Sequence, residues 1–195
     1  LAAVFTGEHF ETVTMFLDSG NTHCISHHRD LLKAILSRYK EQLHNGNLIL
    51  RTDSGFGSSD NVEKLLLIPK FKFITKGYST RTARNLTKEI DYSEYLQADK
   101  GIWVYEFPEN NRVRHIIVQT LSPKGKLKYF VLITNISDKN MSTVEIFYFY
   151  NKRQTIEAFF KMAKNVYHIK KLRASKFYGI YGFLWLVFIT HNLIS

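Results

Sequence analysis

Tyr150 to Lys164 reads YNKRQTIEAFFKMAK, and this stretch decides how the rest of the 195-residue chain is interpreted. Its apolar residues Ile156, Phe159, Phe160 and Ala163, continued by Val166, recur at helical spacing and predict an amphipathic helix over 150–166. On a wheel of about 100° per residue, Tyr150, Arg153, Glu157 and Lys164 fall within roughly 60° of one another, with Lys161 alongside. One acid and several long cations therefore share a polar face. A carboxylate there suits a hard metal ion, and the cations suit phosphate oxygens.

Outward from this helix, the charge is lopsided. The chain carries 27 Lys plus Arg against 17 Asp plus Glu, for a net charge of +10. From Tyr150 to Lys176 there are eight basic residues and one acid, a net +7. Positive charge gathered beside a candidate site points to a polyanionic partner more strongly than charge spread over a surface. An apolar content of 45% and an aromatic content of 14% exclude a disordered chain, and the length suits one domain with a real core. Cys24 is the single cysteine, so an internal disulfide is excluded and a cytosolic setting fits. The apolar run from Phe177 to Ile194 is broken by Gly179, Gly182, Thr190, His191 and Asn192. It reads as a core helix packed across a sheet rather than a membrane span.

Upstream, residues 1–18, including Thr12 to Leu17, suggest one or two strands ending at Asp18-Ser19-Gly20, and Asp30 to about Leu43 a helix ended by Asn45-Gly46. Asn47 to Arg51 reads as a buried strand, with Asp53 just past its end and Ser54-Gly55-Phe56-Gly57 forming a turn. Ser58 or Ser59 caps a helix through Leu67, and Phe71 to Thr75 is the next strand. Strand, helix, strand is an α/β signature. Gly77 to Gln97 is polar, and Thr80 to Thr87 reads as either helix or loop. Ile102–Phe107, Val113–Thr120 and Lys128–Ile136 then predict three successive strands, forming a small antiparallel lobe or an extension of the sheet.

The order Tyr, two residues, Arg, three residues, Glu, six residues, Lys resembles the signature helix of the IS4-type DDE transposases. LILRTDSGFG around Asp53 resembles the strand that carries the second catalytic aspartate in that family. The resemblance implies an α/β, ribonuclease H-like mixed sheet with flanking helices and an inserted antiparallel β lobe before the Glu-bearing helix. It divides the chain into a partial core over 1–76, a mostly β insertion over 77–136 and a return to the core over 137–195. It also implies metal-dependent DNA strand cleavage and transfer. Asp53 and Glu157 would be catalytic and metal-ligating residues, holding Mg²⁺ or Mn²⁺, while Tyr150, Arg153, Lys161 and Lys164 would contact DNA phosphate. The implied partners are double-stranded DNA, at transposon ends and target, and further copies of the chain in a synaptic complex, without a membrane. The implied setting is the bacterial cytoplasm, at the nucleoid.

The family uses three acids. Asp18 ends the strand-like MFLD, but only one helix fits between it and Asp53, so LDSGNTH resembles a later turn of the family. The first acid is therefore expected upstream of Leu1, as in a domain fragment. Two alternatives stay open: a catalytically inactive DNA-binding remnant, and another ribonuclease H-like nuclease. His23, His27 and His28 lack the spacing or cysteine partners of a zinc site. There is no Gly-rich phosphate loop, and Ser54 with His115 makes no hydrolase pattern.

Overall fold

Strand β3 (Ile49–Thr52) runs parallel to β4 (Lys72–Gly77), with Leu50 opposite Phe73 and Thr52 opposite Thr75. The crossover between them is helix α3 (Ser59–Leu66), whose N-terminus is capped by Ser58 Oγ accepting from Asn61 N at 3.4 Å. The computed structural model describes residues 2–7, 11–17, 28–77, 79–107, 112–152, 154–169, 171 and 175–194. These fall into two compact units, one of residues 1–38 with 152–195 and the other of residues 39–151.

In the 39–151 unit the chain changes from parallel to antiparallel pairing. After α2 (Lys40–His44) ends at Gly46, whose φ of 70° suits glycine, β3 and β4 follow. Helix α4 (Thr80–Leu86) is capped by Ser79 and buries Ala83. Two 3₁₀ turns, Thr87–Glu89 and Tyr92–Glu94, lead to β5 (Leu96–Asp99), and the polar 77–100 stretch is thereby accounted for. The strands β6 (Ile102–Glu106), β7 (Arg114–Leu121) and β8 (Leu127–Thr134) form a meander. Strand β8 pairs antiparallel with β4, so the order is β3-β4-β8-β7-β6-β5 in one six-stranded mixed sheet. The antiparallel part is thus an extension of the sheet that carries Asp53.

The central strands bury both faces because helices flank the sheet, giving continuous apolar runs instead of clean alternation. Ile74, Val104, Ile116, Val118 and Leu132 pack with Ile146, Phe147 and Tyr150 of helix α5 (Thr143–Asn151). The start of α5 is a capping box: Ser142 N donates to Glu145 Oε2 at 2.7 Å, and Glu145 N to Ser142 Oγ at 3.3 Å. Those Ser142 hydrogen bonds also hold the Glu145 carboxyl below its ordinary pKa.

Arg114, 5% exposed, anchors the same helix start. Its guanidinium donates to both Glu106 oxygens at 2.6 Å, to the carbonyls of Ile136 and Met141 at 3.1 and 2.7 Å, and to Thr143 Oγ1 at 3.3 Å. Burial raises the Glu106 pKa, but the hydrogen bonds from Arg114 and Thr143 and the Arg114 charge outweigh it and leave it lowered.

In the other unit, β1 (Ala2–Phe5) and β2 (Thr12–Phe16) form an antiparallel hairpin with a register shift at Val4/Phe5. Helix α1 (His28–Arg38) turns Leu31 and Ile35 inward. The expected helix to Leu43 is in fact interrupted at Tyr39, where α1 and α2 are separate pieces. Helix α6 (Gln154–Asn165) packs Phe159 and Ala163 against Met15 of β2 and against Leu184 and Phe188 of helix α7 (Phe177–Ile194). Asn192 secures α7 to β2, accepting from Thr12 N at 2.8 Å and donating to Thr12 O at 3.0 Å. By length and composition α7 is apolar enough to cross a membrane, with a mean hydropathy of 1.4 over its 18 residues. One face of it nevertheless joins this core, through Leu184, Val187, Phe188 and His191.

Candidate functional site

Asp53 stands at the end of β3 with φ −79° and ψ 171°, still extended, and caps the 3₁₀ turn Ser54–Phe56. Its Oδ1 accepts from Ser54 N at 2.5 Å and from Ser54 Oγ at 3.2 Å. A backbone cap and a ligand role are compatible, because a carboxylate has about four lone-pair sites. The turn is pressed onto β4. A Cβ built on Gly57 would lie 2.1 Å from the Lys76 carbonyl oxygen, so only glycine lets the backbones approach this closely. Below it, Thr52 Oγ1 donates to Thr75 Oγ1 at 2.7 Å across the parallel pair. Asp53 itself is exposed.

Glu157, Lys161 and Lys164 are exposed on α6, opposite its buried face. Together with Phe160 and Asn165 they line an open depression of about 400 Å³. Glu157, Lys161 and Asn165 follow one another at four-residue steps, so helical spacing alone already aligns Asn165 with the other two. Asn165 lies outside the spacing of the signature motif.

The single helix expected over 150–166 is two helices. The first, α5, ends at Asn151, and α6 begins at Gln154, which removes Tyr150 from the helix of Glu157 and Lys164. Tyr150 is 6% exposed in the core beneath α5, its ring 6.5 Å from Phe130. Tyr150 therefore packs in the core, whereas the resemblance implies a DNA phosphate contact for it. Val166 lies past the end of α6 and is 63% exposed, so the apolar stripe stops at Ala163. Arg153 lies outside the described residues, as do Asp18, His23, Cys24, His27, Lys170 and Arg173. His28 opens α1 and is buried.

Asp53 and Glu157 offer exposed hard-oxygen donors of the type that Mg²⁺ and Mn²⁺ take. Among the described residues, no group of three or more His, Cys, Asp or Glu side chains is gathered as a ready metal cage.

A helix-flanked mixed sheet with an acid at the end of a parallel strand is the layout of a ribonuclease H-like domain. The particular family follows from the sequence as a whole. The chain belongs to the transposase DDE domain family, whose sequence pattern matches residues 1–193. Domains of this family depend on divalent metals and have DNA substrates. No curated protein matches the chain.

Proposed function

We propose that this chain belongs to the catalytic domain of an IS4-type transposase, which cleaves and transfers DNA strands at transposon ends. The observation that carries the reading is the α6 depression, where Glu157 sits among Lys161 and Lys164 in a DDE-family chain. Asp53 and Glu157 would hold Mg²⁺ or Mn²⁺. Such a cation, when bound, supplies Lewis-acid polarisation of the phosphate under attack.

The chain's own residues do the positioning. Asp53 is presented from a strand end whose backbone is locked by β4, so its carboxylate loses little freedom on engaging a ligand. Lys161 and Lys164 are mobile point charges for phosphate oxygens, and Arg153, by its place in the motif, is assigned a bidentate phosphate contact. Contacts of this kind set the register of the duplex and read no sequence. Tyr150, buried in the core of the 39–151 unit, is assigned a packing role. Two acids of the family's three are assigned here. The reading carries with it self-association in a complex of two transposon ends and a cytoplasmic, nucleoid-associated setting.

The test is cleavage and strand transfer on a transposon-end duplex with Mg²⁺, comparing the chain with Glu157→Gln. We expect the variant to lose at least about 10³-fold in rate while duplex affinity stays within about twofold. Equal rates would remove Glu157 from the chemistry. Binding without cleavage by the unaltered chain would make it a DNA-binding remnant, and cutting without joining would make it a nuclease.

A further inference from the structure

Arg51 lies on β3, two residues before Asp53. Because Asp53 is still extended, the two side chains project to the same side of the chain. The guanidinium Nη1 donates to the Phe149 carbonyl at 2.8 Å, and its central carbon lies 4.9 Å over the centre of the Phe149 ring. Phe149 is in the last turn of α5, where carbonyls lack intrahelical donors and the helix end carries partial negative charge. Arg51 thus combines a carbonyl cap with a cation–π contact, a pairing that suits a flat guanidinium better than an ammonium. Tyr150, where the family motif begins, is the next residue, and the chain continues from Asn151 toward α6.

A second route joins the same two places. The Asp53 turn rests through Gly57 on Lys76, the Lys76 ammonium lies 4.8 Å over the Phe130 ring, and Phe130 packs on Tyr150. Two independent ties within one compact unit therefore connect the strand end bearing Asp53 to the helix end bearing Tyr150.

We propose that Arg51 is a positioning residue for strand cleavage, tying the Asp53 strand end to the α5 end where the signature motif starts. The proposal rests on the transposase reading above. Arg51 touches neither substrate nor metal in this scheme; it holds the frame on which Asp53 is presented.

The test uses the 195-residue chain with Arg51→Met, which keeps an apolar stem on Phe149 but loses the donor, and Arg51→Lys, which restores a donor and a charge. Amide hydrogen exchange reads the tie without reference to activity. In Arg51→Met we expect exchange to speed up together at 54–57 and 147–151, by about tenfold, with the β7–β8 amides unchanged. Exchange that rises only at 147–151 would overturn the proposal and leave Arg51 a local helix cap. In the cleavage assay we expect kcat to fall about 100-fold with KM for the duplex within about twofold, and Arg51→Lys to recover about tenfold. A kcat loss no larger than the loss of folded protein would also overturn it. If the unaltered chain fails to cleave, the transposase reading fails by itself, while the exchange result still supports or overturns the tie.

Discussion

The two acids of the proposed site are held by different kinds of force. Asp53 is positioned by backbone: a parallel strand pair, a turn pressed onto the Lys76 carbonyl through Gly57, and its own cap on Ser54. Glu157 is positioned by side-chain packing on the opposite face of its helix, where Phe159 stacks on Phe188 at 5.1 Å and meets Phe5 at 4.8 Å and His191 at 4.6 Å. The first acid therefore depends on close backbone approach, where even one added carbon atom clashes, and the second on the volume of aromatic side chains that fill the core behind it.

Substitutions in the two halves sharpen this contrast. The largest effect is expected for Phe159→Ala, which removes the ring at the centre of the α6–α7 core and should destabilise its unit by about 3–5 kcal/mol. Each unit holds one of the two tryptophans, Trp185 on α7 and Trp103 on β6, so urea unfolding followed with single-tryptophan variants separates them. A loss reported equally by Trp103 would show that the halves are not independently held. Gly57→Ala should cost about 3 kcal/mol, read through Trp103, because the new Cβ meets backbone that cannot swing aside. A variant as stable as the parent would mean that the Asp53 turn is softer than its contacts imply.

The smallest effect is a pH dependence. A carboxyl with a lowered folded pKa adds stability that is full above its ordinary value of 4.5 and is lost as pH falls through the folded value. The 39–151 unit should therefore lose the Glu106 contribution below about pH 4.5, and Glu106→Gln should flatten that part of the profile. Identical slopes for parent and variant in acid denaturation would show that the Arg114 clamp carries no pH-linked stability.

Much of the strand half was legible in sequence because its signals are local. The apolar LIL before Asp53, the glycines after it and the Ser58 cap each act within a few residues, and β3, the turn and α3 follow from them. The meander was legible from runs of β-branched residues at β7 and β8. Strand β5 was missed: LQAD is only four residues long, too short for its alternation to stand out from the polar stretch before it, and it is held as a strand by pairing with the edge of β6. The break after Asn151 was missed as well, since no proline or glycine marks it and α5, with its run IFYFY, is apolar on nearly all sides, so it shows no distinct phase to set it apart from α6. The end of α5 is tied to the sheet through Arg51, and its start through Arg114, a buried cation that local patterning cannot distinguish from a surface one.

By itself the sequence determined the chemistry on offer: an acid after a strand, an acid among lysines on an amphipathic helix, and a basic excess beside it. It also determined which local segments are strand or helix, because propensity and hydrophobic period act over neighbouring residues. Only the tertiary structure decided that the antiparallel strands extend the Asp53 sheet, that Tyr150 is buried apart from the Glu157 helix, and that Arg51 ties Phe149 to the strand of Asp53. Each of those outcomes depends on partners distant in sequence, whose hydrogen bonds and packing exist only once the chain has folded.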